Sequence, residues 1–127
     1  MNIVVKATNR ELGDPMRELV EKKLSTLEKY TRRAKTPVLL DCEIEESLAV
    51  ERAGGRYKAE GNLSVDGRLF RAEAIGETLE GAVDRVRDEL ARELKRTRGR
   101  ERNLMKRGGE TFKRMLQLGR FWDRSDS

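Results

Sequence analysis

Lys22, Lys29 and Arg33 stand at i, i+7 and i+11, a spacing that puts them on one line of a helix. Arg85, Arg92 and Arg96 repeat that spacing, with Lys95 and Arg98 beside them. Two such ridges on neighbouring helices would form a track for a phosphate backbone. Lysine and arginine neutralise phosphates there and release counterions. The competing reading is a solvated face laced with local ion pairs, which Asp84, Asp88, Glu89 and Glu93 could supply. Spacing alone leaves both readings open.

Other chemistry has little to work with. The chain has no histidine, which removes Ser-His and Cys-His nucleophile pairs and imidazole acid–base steps. Its single cysteine, Cys42, allows no internal disulfide and no cysteine-built zinc site. Cys42 shares the inward parity of Val38, Leu40 and Ile44, so a small core residue is expected rather than a reactive thiol. The many carboxylates show no pocket-like pairing and read as solubilising charge. A non-enzymatic protein is expected, with no catalytic residue, metal or cofactor.

Length and charge frame these residues. The chain of 127 residues suits one domain, and 40% of it is charged, far above the usual ~25%. The net charge is +5, unevenly spread. Residues 15–33 carry six basic and three acidic side chains, residues 34–76 six and eight, and residues 99–127 eight and four. A polyanionic partner fits the basic segments. No apolar run approaches the length of a membrane span, and MNIVVKATNR lacks an export signal, so a cytoplasmic protein is expected.

Periodicity then supplies the elements. Residues 2–8 read as a strand. Asp14 as N-cap and Pro15 open a helix expected over 15–33, with Met16, Val20, Leu24, Leu27 and Tyr30 as its apolar stripe. Residues 38–46 alternate, with Asp41, Glu43 and Glu45 outward. Residues 47–56 read as a hairpin connection or loose loop. Residues 57–65 alternate again, and Asp66-Gly67 is a two-residue turn in which both positions need positive φ. Residues 68–75 return, with Phe70, Ala72 and Ala74 inward. Thr78 caps a second helix, striped by Leu79, Val83, Val86, Leu90 and Leu94, expected to end at 98 before Gly99. The resulting β-α-β-β-β-α order predicts an α+β fold, a four-stranded sheet with two helices packed on one face. Asp41, Glu43, Glu45, Glu60 and Asp66 would occupy the open face. Residues 1–98 form the expected domain and 99–127 a basic, flexible C-terminal tail. Phe112, Phe121 and Trp122 in that tail could stack on bases, fold back or meet a partner.

This order and three stretches resemble one family. The stretches are MNIVVKATNREL, DPMRELVEKKLSTLEKY (14–30) and RLFRAEAIGETLEGAVDRVRDELARELKR (68–96). They resemble the ribosome hibernation-promoting factor and ribosome-associated inhibitor family, also called sigma-54 modulation proteins. The resemblance implies a fold like the double-stranded RNA-binding domain. It also implies a translation inhibitor of the stress response. Such a protein binds the small ribosomal subunit and its ribosomal RNA in the decoding channel, blocking messenger and transfer RNA.

Carried over by motif, the RNA-binding positions are Lys22, Lys23, Lys29, Arg92, Lys95 and Arg96; Arg33, Arg85 and Arg98 are added on spacing. The chain departs from the family at Leu79-Glu80, where many members have Met-Tyr, and at Gly81, where alanine is common. It resembles the short forms, which lack the dimerisation domain of long members. A monomer off the ribosome is expected, with no membrane or small-molecule partner. The alternatives are a general structured-RNA-binding module or a protein-interaction regulator of transcription.

Overall fold

Leu40, Cys42 and Ile44 are buried while Leu39 and Glu43 are exposed, so alternation along this strand sets one dry face and one wet face. The structure, a computed structural model, describes residues 1–106, with side chains to Arg100. Four strands, β1 (Asn2–Thr8), β2 (Leu39–Glu45), β3 (Tyr57–Val65) and β4 (Arg68–Gly76), form one sheet in the order β1-β2-β3-β4. β1 runs parallel to β2, and the other neighbours are antiparallel. The parallel pair needs a crossover, which helix α1 (Asp14–Ser25) and a 3-10 helix (Thr26–Tyr30) provide.

The dry face carries α1 over β1 and the long helix α3 (Leu79–Lys106) over β3 and β4. Val20, Leu24 and Leu27 meet Val83, Val86 and Leu90 above Leu40, Ile44 and Leu63, all fully buried. Each such side chain contributes roughly 1.5–3 kcal/mol relative to exposure. Phe70, Ala72 and Ala74 face this core, as their parity predicts. Gly61 lets α3 come close: a Cβ there would lie 2.8 Å from Val86 Cγ1 and 3.2 Å from Leu90 Cδ1.

The expected α+β architecture is therefore present, and several local expectations are corrected. The first helix is capped by Gly13, while Asp14 and Pro15 lie in its first turn, the carboxylate near the positive end of the helix dipole. It does not continue as an α-helix to residue 33. Ser25 Oγ donates to the Lys22 carbonyl (2.7 Å) and Thr26 Oγ1 to that of Lys23 (2.8 Å). These bonds compete for α-ladder acceptors, and the chain tightens into the 3-10 helix. Thr31 closes it, its backbone N–H and hydroxyl both donating to the Glu28 carbonyl.

The β2–β3 connection is not a loose loop but holds a short helix, α2 (Leu48–Arg52). The Ser47 side chain accepts from Val50 N at 3.3 Å, and Val50 is buried. Asp66 (φ 48°) and Gly67 (φ 80°) adopt the positive φ values their turn requires. The Asp66 carboxylate does not join the open face. Its Oδ1 accepts from Lys35 N (2.9 Å), Thr36 N (3.0 Å) and Thr36 Oγ1 (3.0 Å). Thr78 caps α3 by accepting from Gly81 N at 3.0 Å. A Cβ at Gly81 would crowd that hydroxyl at 2.9 Å.

The second helix also does not end at residue 98 but runs through Gly99 to Lys106. Glycine costs a helix about 1 kcal/mol relative to alanine, and the arginine, glutamate and leucine around it are good helix formers. The tail expected over 99–127 lies outside the described residues from 107 onward.

Candidate nucleic-acid interface

The change from α to 3-10 geometry decides which basic residues meet. A 3-10 helix advances about 120° per residue against about 100° in an α-helix, so a line drawn at i, i+7 and i+11 bends. Lys22 is exposed beside Met1, Ile3 and Glu18, while Lys29 comes to the other end of the layer, facing α3. Arg33 lies beyond the 3-10 helix, in the turn leading to β2.

The centre of the resulting cluster is Tyr30. Lys29 Nζ lies 5.1 Å and Lys95 Nζ 5.3 Å from its ring centroid, so one ring receives a cation from each helical segment. Burial pushes the Tyr30 phenol up, but Lys95 and Lys29 outweigh it and hold its pKa below the usual value. On one side of Tyr30 a groove of about 580 Å³ is lined by Lys29, Arg87, Arg92 and Lys95. On the other a concavity of about 490 Å³ is lined by Lys29, Arg32, Arg33 and Arg98.

The nine positions differ in what already holds them. Lys23 Nζ is 2.9 Å from Asp84 Oδ1, Arg92 pairs with Glu89 (3.1 Å) and Arg96 with Glu93 (3.0 Å). The Arg85 guanidinium donates to the Ile75 carbonyl at 2.7 Å. Among the described residues, Lys22, Lys29, Arg33, Lys95 and Arg98 have no carboxylate within ion-pair distance. Local ion pairs thus describe part of α3, while Lys29, Lys95, Arg33 and Arg98 near Tyr30 lack such pairs among the described residues. Surface pairs of this kind are each worth about 0–1 kcal/mol, so a phosphate can displace them.

Tyr30 and Arg32 belong to this cluster without having been singled out by spacing. Tyr30 reads as the last residue of an apolar stripe, and only the lysines at 29 and 95 hint at its second role. Arg32 lies beyond the 3-10 helix, so the helical phase expected over 15–33 does not place it. Among the described residues no helix is long and apolar enough to cross a membrane.

A four-stranded β-α-β-β-β-α sheet carrying this helical layer has known relatives. The model of the sigma 54 modulation protein / S30EA ribosomal protein family matches residues 3–102. The chain belongs to this family.

A curated relative from Deinococcus radiodurans, a ribosome hibernation promotion factor, is 35% identical over 92 residues. The match covers 72% of this chain and 46% of that protein, so the chain spans about half the length of this S30EA relative. The N-terminal domain of Thermus thermophilus Protein Y superposes with a TM-score of 0.63 at 28% identity, covering 76% of this chain and 99% of that domain. A ribosomal subunit interface protein from Coxiella burnetii shares the fold at 17% identity and a TM-score of 0.59, over 78% and 99% of the two chains. The S30EA match extends past residue 98, as α3 does.

Proposed function

We propose that this S30EA-family protein is a ribosome-associated hibernation factor that binds the small subunit and inhibits translation by occlusion. The folded domain occupies the decoding channel, where messenger and transfer RNA would sit. Basic side chains supply affinity for ribosomal RNA, and the rigid helical layer supplies the fit to its shape. The family match over residues 3–102 carries this reading. The cations around Tyr30 that have no carboxylate partner among the described residues support it and rank the contacts. Lys29, Lys95, Arg33 and Arg98 engage phosphates directly, whereas Lys23, Arg92 and Arg96 first give up carboxylate partners. Lys22 and Arg85 lie away from Tyr30 and contribute at the margins.

Sedimentation with purified small subunits at two salt concentrations tests the proposal. Wild-type protein should co-sediment and be displaced by salt. Joint replacement of Lys29, Lys95 and Arg98 by glutamate should abolish binding. Each lost phosphate contact flattens the salt slope by about 0.7–0.9. A folded triple variant that still co-sediments would overturn the assignment of this face. Equal affinity for an unrelated RNA duplex would favour a general structured-RNA module instead. Bound protein should also exclude a messenger fragment from the subunit.

A further inference from the structure

We propose that the concavity between residues 30–34, the Asp66–Gly67 turn and the C-terminal half of α3 binds a nucleotide, a nucleobase carrying phosphate. Two features of its lining point there together. The first is a cationic rim of Lys29, Arg32, Arg33, Arg68 and Arg98, of which Lys29, Arg32, Arg33 and Arg98 have no carboxylate in ion-pair range among the described residues. Asp66, the one acidic residue of the lining among the described residues, has its Oδ1 occupied by three hydrogen bonds from Lys35 and Thr36. Lys29, Arg32, Arg33 and Arg98 can therefore receive an anion.

The second feature is the floor. Tyr30, Val65, Phe70 and Leu94 line the space beneath that rim, and the Tyr30 and Phe70 side chains are only partly buried. A track for a phosphate backbone needs projecting cations and no apolar hollow. A hollow of about 490 Å³ with aromatic walls is of the size that encloses a small ligand. Planar bases stack on such rings and on guanidinium planes, and the phosphates would then reach the rim.

A nucleotide can reach the site free in solution or as one unstacked residue of an RNA strand. The proposal goes beyond the ribosome reading, and its test uses the isolated chain, so either can fail alone. The isotope-labelled 127-residue protein is titrated, with amide shifts followed by NMR, against ATP, GTP, adenosine, guanosine, inorganic tripolyphosphate and a short unstructured RNA. Saturable shifts are expected at Thr31, Ala34, Val65 and Phe70. ATP or GTP should bind at least about tenfold tighter than tripolyphosphate or the nucleosides. Saturation by the RNA but not by free nucleotides would assign the site to a strand residue.

Joint replacement Arg33→Glu and Arg98→Glu should weaken the nucleotide by about tenfold or more while the spectrum stays dispersed. Phe70→Leu should weaken the nucleotide and leave tripolyphosphate unchanged. Tripolyphosphate binding as tightly as ATP, shifts centred elsewhere, indifference to the arginine pair, or no saturation by any nucleotide or RNA would each overturn the proposal.

Discussion

Lys23 Nζ sits 2.9 Å from Asp84 Oδ1 and so joins α1 to α3 across the top of the core. Both side chains are partly exposed, which limits the pair to about 0–1 kcal/mol. A double-mutant cycle with Lys23→Ala and Asp84→Ala, read by denaturant unfolding, should return a coupling of that size that shrinks in high salt. Lys23→Ala should also weaken ribosomal RNA binding less than Lys29→Ala, because Lys29 has no carboxylate partner to leave among the described residues. Equal losses would show that the pair opens at negligible cost.

Cys42 gives a second prediction. Burial, and then the charges of Asp41 and Glu43, push its thiol from an ordinary 9.0 up to about 12. The unfolded chain ionises near the ordinary value and the folded chain does not. Stability should therefore fall as pH rises above about 9, and Cys42→Ala should flatten that fall. Cys42→Ser, which buries a hydroxyl at an apolar site, should cost about 1–3 kcal/mol. Native protein should resist thiol reagents until it unfolds.

Gly61 lies where α3 crosses β3. Its replacement by alanine puts a methyl 2.8 Å from Val86 Cγ1, a side chain too short to swing clear. Overpacking of this kind costs roughly 1–3 kcal/mol, and Gly61→Val should cost more. Thermal melts check both. Gly99→Ala is the contrast, since nothing lies within 4 Å of its added carbon and alanine favours the helix. It should leave stability unchanged or raise it by up to about 1 kcal/mol.

Asp66 predicts an acid limb in the stability curve. Desolvation raises its pKa, but the hydrogen bonds from Thr36 and Lys35 outweigh it and leave the carboxyl below its ordinary 3.8. The stabilisation is complete above that ordinary value and is lost as pH falls through the lower folded one. Asp66→Asn should lower the melting temperature at neutral pH and show less further loss on acidification. Identical pH profiles for the two proteins would remove this turn from the account.

The strands and the helical layer were legible because alternation and three-four stepping mark faces directly. Leu40, Cys42 and Ile44 are inside, and Tyr57–Val65 begins and ends where its pattern does. The Asp66-Gly67 dipeptide declared its own φ values. What escaped depends on partners distant in sequence or on small local balances. Ser25 and Thr26 look unremarkable until their hydroxyls take the carbonyls of Lys22 and Lys23 and turn Lys29 out of line with Lys22. Gly99 looks like a stop, yet its penalty is smaller than the combined preference of its neighbours. At the site, Lys23 and Lys29 are equivalent as letters. Asp84, 61 residues away, separates one from the other.

The two arginines that reach from helices to strand carbonyls bear on how the molecule behaves in a crowd. Arg17 Nη1 donates to the Val5 carbonyl, as Arg85 Nη1 does to that of Ile75. Asn2 N donates to Val38 O, and Thr8 O accepts from Glu46 N, so the backbone N–H and C=O groups of even-numbered residues of β1 point to β2 and those of Val5, whose side chain is in the core, point to the open edge. Gly76 O accepts from Arg56 N, which turns Ile75 outward on β4 by the same alternation. The sheet thus ends on both sides in a strand with one of its outer acceptors already taken by an arginine. A foreign strand adding to either edge would have to displace a guanidinium and would meet a positive charge as it approached. Each edge is guarded by a residue from the helix that covers it, so resistance to edge-to-edge aggregation comes from the same packing that builds the core.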